Sequence, residues 1–194
     1  MRAIIIHGRC SSRKSWAAAP DAQSNRHWLP WLQWELSKRG VDAQTPEMPS
    51  PYLPDMDYDE WAKTFKQFNP GADTILIGHS NGAGFLLKYL SLNPRACAYQ
   101  LVLVAPYIDP AGEHPTFHKD YEMDAALPSR VRRIDLFHSM DDKDAIQKSV
   151  RKILDVYGGK INCRWLQGKG HFTEDDMGTR EFPELLEAIK LRGR

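Results

Sequence analysis

Residues 74–82 read Thr-Ile-Leu-Ile-Gly-His-Ser-Asn-Gly, a short apolar run that meets Gly-x-Ser-x-Gly. Apolar residues at helical spacing follow over residues 83–90. The run 75–77, bounded by Gly78, has the makeup of a buried parallel strand. Ser80 then falls on a sharp turn from strand to helix. Only small neighbours leave room for such a turn, and Gly78 and Gly82 supply it. The turn presents the Ser80 hydroxyl at the C-terminal edge of a sheet, at the positive end of the helix that follows. Taken alone, Gly-x-Ser-x-Gly also describes an ordinary loop, because loops are rich in both residues. The strand before it and the helix after it favour a nucleophile turn.

The same alternation runs along the chain. Strand-like stretches occupy 3–7, 41–45, 99–105, 133–137 and 162–166. Trp28, Trp31, Leu32 and Leu36 fit one helix face, and Gly40 is a natural stop. A further helix follows Asp59, carries Trp61, Phe65 and Phe68, and ends at Asn69-Pro70-Gly71. Helices are also expected over 145–157 and 182–191. The repeated β-then-α order predicts an α/β protein: six mostly parallel strands with helices on both faces, a three-layer α/β/α sandwich, in one domain over 1–194. Residues 106–129 lack apolar periodicity and are long for a loop. They form either a lid or a surface excursion with short helices of its own.

Composition narrows the function classes. The 194 residues carry 26 basic and 25 acidic side chains, for a net charge of +1 with both signs mixed. That is no footprint of a nucleic-acid binder. Cys10, Cys97 and Cys163 lie far apart, which argues against a disulfide framework and against a zinc site. All three are expected as reduced thiols, with Cys97 and Cys163 in the core. No run is long enough for a membrane span, and the first residues read as a strand rather than a signal peptide. The expected localisation is the cytoplasm.

A serine hydroxyl needs a base to take its proton, and the base needs an orienting acid. On a sheet of this kind the chain order is serine, acid, histidine, each partner following a later strand. The run 133–137 leads into His138-Ser139-Met140-Asp141-Asp142, and the last strand leads into Gln167-Gly168-Lys169-Gly170-His171. His171 is therefore the expected base. Asp141 and Asp142 both stand where the acid belongs, and Asp144 is close by. The oxyanion hole is expected from two backbone N–H groups, that of Asn81 and that of Arg9 in the loop after the first strand. Gly8 and Cys10 would then border the substrate. Arg9 offers a positive charge to an anionic group, although a solvent-directed side chain is the simpler expectation. His7 and His79 are expected to be structural. Trp34 is open to solvent, pocket or partner.

These stretches resemble a known family, the small serine hydrolases of α/β-hydrolase fold typified by retinoblastoma-binding protein nine and its bacterial relatives. The resemblance rests on residues 3–8, 74–82, 101–105 and 137–142 and on Gly170-His171-Phe172, spread over nearly the whole chain. It implies a core without a large cap domain and the set Ser80, Asp142 and His171, with Asp142 taken over Asp141. Lys143 stands where the family often has proline. The implied activity is hydrolysis of ester, thioester or amide bonds, most simply of small acyl esters, with no metal or organic cofactor. A serine peptidase on a peptide-like substrate and a protein-binding module on the same scaffold are the alternatives.

Overall fold

Every strand pairing in the sheet is parallel, and the strand order reverses once. The computed structural model describes residues 1–18, 22–119 and 121–191. The strands are β1 (Arg2–Ile6), β2 (Asp42–Gln44), β3 (Thr74–His79), β4 (Gln100–Val104), β5 (Ile134–Ser139) and β6 (Asn162–Leu166), in the order β2-β1-β3-β4-β5-β6. The helices are α1 (Arg13–Ala17), α2 (Leu29–Lys38), α3 (Tyr58–Lys66), α4 (Asn81–Leu92), α5 (Pro115–His118), α6 (Asp144–Tyr157), α7 (Glu174–Met177) and α8 (Pro183–Ala188). The chain moves one way from β1 to β2 and the other way from β3 to β6. Right-handed crossovers then put α2 on one face of the sheet and α4 on the other. The contacts agree: α2 touches β1, β2 and α8, whereas α4 packs on β3 and β4 beside α5, which also meets α3.

The central strands form because they are apolar on both faces, as covered parallel strands must be. All six residues of β3 and all five of β4 are buried, while the edge strand β6 is partly exposed. One face is filled by Trp61, Phe65, Phe85 and Phe117, with Trp61 edge-to-face on Phe117 at 4.9 Å between centroids. Phe172 and Phe182 stack at 5.2 Å, and Trp28 meets Phe182 edge-on. Each fully buried ring of this kind contributes about 2–3 kcal/mol. Trp34 is 63% exposed and stands under the Lys38 ammonium.

Sequence and structure part company at several boundaries. The third helix begins earlier than expected: Asp57, not Asp59, caps it by accepting from Glu60 N. The last helix is shorter, Pro183–Ala188. Cys97 and Cys163 are only half-buried. Residues 106–129 contain α5 and a 3₁₀ turn at Leu127–Ser129. They are fastened rather than free: Lys88 of α4, itself buried, donates to Phe117 O and Lys119 O. At either end of the segment Tyr107 N donates to Ser80 O, and Arg130 pairs with Asp124.

Candidate active site

The crevice where the strand order reverses, between the C-terminal ends of β1 and β3, is where open parallel sheets place their ligands. Ser80 stands there. Its φ of +53° and ψ of −118° form a conformation that L-residues avoid, and the surroundings hold it in place. Ser80 N donates to Val104 O, and Ser80 O accepts from the N–H groups of Ala83, Gly84 and Tyr107. A methyl group on Gly82 would overlap the carbonyls of Ile6 and His7, and one on Gly78 would lie 2.5 Å from Ala83 N. These two glycines therefore let β1, β3 and α4 meet closely enough to make the turn.

His171 and Asp142 come to the serine from the ends of β6 and β5. His171 Nε2 lies 2.9 Å from Ser80 Oγ. His171 Nδ1 lies 2.9 Å from Asp142 Oδ2 and 3.1 Å from Oδ1. The Asp142 carboxylate is fully buried and accepts a further hydrogen bond from Lys143 N. Asp141, the neighbouring candidate, does something else. It accepts from Ser139 Oγ, Gly168 N and Gly170 N, and so ties the loop after β5 to the loop after β6. The Ser139 hydroxyl, followed by the two loop N–H groups, keeps Asp141 ionised below the usual carboxylate range. Asp144 sits in the first turn of α6 and pairs with Lys148.

Two further groups fix His171 and a third steadies the Asp142 loop, and none is evident from spacing. The His171 N–H donates to Asp176, and its carbonyl accepts from His79 Nε2 at 2.8 Å. His79 is buried, and its ring lies 5.1 Å from that of His171. Burial, followed by the neighbouring His171 and His27, holds its pKa well below the ordinary histidine value, so His79 is a neutral donor. Gln147 of α6 donates to the carbonyls of Ser139, Met140 and Asp142, steadying the acid loop.

Arg9 N and Asn81 N make no hydrogen bond to protein among the described residues. Asn81 is the first residue of α4, where helix geometry leaves the N–H without an internal partner. Asn81 Nδ2 meets His118 Nε2 at 3.2 Å, and burial drives the His118 pKa down to about 3. A methyl group on Gly8 would lie 3.1 Å from Ser80 Cβ, so the first loop presses directly on Ser80. His7 is buried and accepts from Met48 N, a structural role as expected. Cys10 departs from expectation. It is 5% exposed, bridges in parallel to Tyr52 and borders neither cavity beside Ser80, because the loop turns it inward against Pro51.

Two cavities flank Ser80. One, of about 200 Å³, is walled by Ser11, Asn81, Tyr107, Ala145 and Ile146, and the other, of about 180 Å³, by Gly8, Gln23, His27, Leu29 and Thr173. Both are bordered by Arg9, Ser80, Lys143 and His171. Among the described residues no cluster of three or more metal-ligating side chains occurs, and no helix is long and apolar enough to cross a membrane.

Fold and site together define a hydrolase-like α/β protein with a serine at the strand-to-helix turn. Residues 20–190 match the model of the serine hydrolase family, and the chain belongs to that family. YdeN of Bacillus subtilis is 35% identical over 71 residues, a stretch that spans about a third of either chain (36% of each). The crystal structure of the ydeN gene product superposes with a TM-score of 0.77 at 23% identity, covering 96% of this chain and 95% of that one. A pyrethroid hydrolase of Sphingobium faniae superposes at 0.63 with 13% identity, covering 97% and 95%. An α/β serine hydrolase without a lid from Xanthomonas campestris superposes at 0.57 with 14% identity, covering 96% and 79%. These superpositions establish the fold: a six-stranded parallel sheet with helices and no large cap.

Proposed function

We propose that the protein hydrolyses esters of short acyl chains through an acyl-serine intermediate. Ser80 is the nucleophile, His171 the general base and then acid, and Asp142 the residue that orients His171. The observation that carries this reading is the unbroken relay from Ser80 Oγ to His171 Nε2 and from His171 Nδ1 to Asp142, each step 2.9 Å.

In the first step Ser80 Oγ bonds to the ester carbonyl carbon while its proton passes to His171 Nε2. The carbonyl oxygen becomes an oxyanion facing the N–H groups of Arg9 and Asn81, donors that need no reorganisation at the moment of reaction. His171 then gives the proton to the departing alkoxide oxygen, and the carbon–oxygen bond to the leaving group breaks. Water repeats the sequence on the acyl-serine, releasing the carboxylic acid and restoring the Ser80 hydroxyl. Asp142 holds the Nδ1–H tautomer and stabilises the imidazolium without taking the proton. The modest volumes beside Ser80 support a short acyl chain rather than a long one.

Labelling with a fluorophosphonate tests the reading. Wild type reacts, and Ser80→Ala and His171→Ala, both folded by circular dichroism, do not. Ser80→Ala also loses ester turnover by about three orders of magnitude or more. Undiminished turnover by Ser80→Ala, or a folded wild type that never labels, overturns it.

A further inference from the structure

We infer that the substrate of this site carries a carboxylate, and that the side chains of Arg9 and Lys143 select for it. The inference rests on the serine-hydrolase reading of Ser80 and deepens it.

Among the described residues, four border both cavities beside the nucleophile: Ser80, His171, Arg9 and Lys143. Two are the reacting pair and the other two are cations, one brought by the loop after β1 and one by the start of α6. Among the described residues, neither cavity has an Asp or Glu in its wall. Three of the nearby carboxylates are committed elsewhere, while Glu174 and Asp175 lie outside the wall and act on His27 of the second cavity. Asp142 is held by His171 and Lys143 N, Asp141 by Ser139 and the loop N–H groups, and Asp109 by the Tyr107 hydroxyl and the N–H groups of Glu113 and His114. Arg9 and Lys143 have no ion-pair partner among the described residues. The sequence suggested an Arg9 side chain directed at solvent; it is exposed, yet it walls the site. Burial dominates the proton affinities of Tyr107 and His118, and the Arg9 charge acts on both as a lesser influence.

A concave site with two cations and no carboxylate among its described lining residues, next to a serine, attracts a negatively charged substrate and repels a positive one. The planar guanidinium fork matches a carboxylate, and the lysine adds a point charge across the opening. Because both cations border both cavities, the carboxylate is reachable from the acyl side and from the leaving-group side.

Matched esters read the preference directly. On the acyl side, mono-4-nitrophenyl glutarate is compared with its methyl-capped diester through nitrophenol release. On the leaving-group side, 4-acetoxybenzoate is compared with its methyl ester through phenol release. In at least one pair, wild type favours the carboxylate over its capped partner by about tenfold or more in kcat/KM. Arg9→Gln and Lys143→Gln each lower that ratio several-fold, Lys143→Arg retains it, and raising NaCl toward ~0.5 M erodes it, because exposed charges are screened over a few ångströms there. Turnover with no preference for either carboxylate overturns the inference and leaves the hydrolase reading standing. A preference that survives both substitutions overturns the assignment to Arg9 and Lys143. Turnover of none of the four esters overturns the hydrolase reading and this inference with it.

Discussion

The Ser80 turn after β3 and the His171 loop after β6 meet at one hydrogen bond, yet they are held by different physics. The turn is buried, with Ser80 only 8% exposed, and it is fixed by close backbone approach: the Ile6 and His7 carbonyls against Gly82, Ala83 against Gly78. The loop follows a half-exposed edge strand and is fixed by polar side chains from elsewhere: Asp141, Asp176 and His79. Packing leaves no room for error at the nucleophile. The base is aimed by hydrogen bonds that are individually modest in energy. One region therefore fails by unfolding and the other by misalignment.

The contrast breaks most visibly at Gly82. Gly82→Ala forces a methyl group into the carbonyls of Ile6, at the end of β1, and His7, just after it, which cannot move without disturbing the sheet. A loss of about 3 kcal/mol or more is expected, read as a lower urea midpoint, with activity lost only because the fold is lost. If Gly82→Ala melts like wild type, the turn is not held by packing.

Asp141→Asn addresses the loop. It weakens the acceptor for Ser139 Oγ and for Gly168 and Gly170 N–H while leaving Asp142 in place. The expected result is about a tenfold fall in kcat with little change in KM at near-wild-type stability, the signature of an imidazole less well aimed. A fall in stability with unchanged kcat would make the two regions alike.

His79 joins the two, since it precedes the nucleophile and donates to the carbonyl of the base. Its folded pKa lies below the unfolded value of about 6.5. Below that pH the unfolded chain binds a proton that the folded protein refuses, so stability is full above about pH 6.5 and falls as pH drops beneath it. The neighbouring rings of His27 and His171 add to the refusal. His79→Gln keeps a donor and removes the titration. It should lose about 1 kcal/mol less than wild type between pH 7 and pH 5.5 in urea unfolding. Equal losses would separate His79 from the acid sensitivity.

The same contrast explains what the sequence could disclose. Ser80 was legible because steric demand leaves glycines at fixed offsets, and the six strands because buried parallel strands are short apolar runs. His171 was legible from its position after the last strand. The choice between Asp141 and Asp142 was not, since both follow β5 and only the partners in space, Ser139 for one and His171 for the other, separate them. Asp176, His79 and Gln147 hold the His171 and Asp142 loops through side-chain hydrogen bonds to backbone groups, which no periodicity records. Cys10 was misplaced for a related reason: its inward turn depends on Pro51 and Tyr52, forty residues on. Lys88 reads as the polar face of a helix, whereas two carbonyls of the 117–119 stretch take it inside.

The sheet order has a consequence for when the protein becomes active. Strand β6 is an edge strand and hydrogen-bonds only to β5, yet the loop behind it delivers His171. On the proposed reading, the nucleophile and the acid come before β6 in the chain and the base after it, so a sheet without β6 docked holds a serine with no base. Ester turnover is then expected to fall as soon as that edge frays, even where the rest of the sheet remains intact.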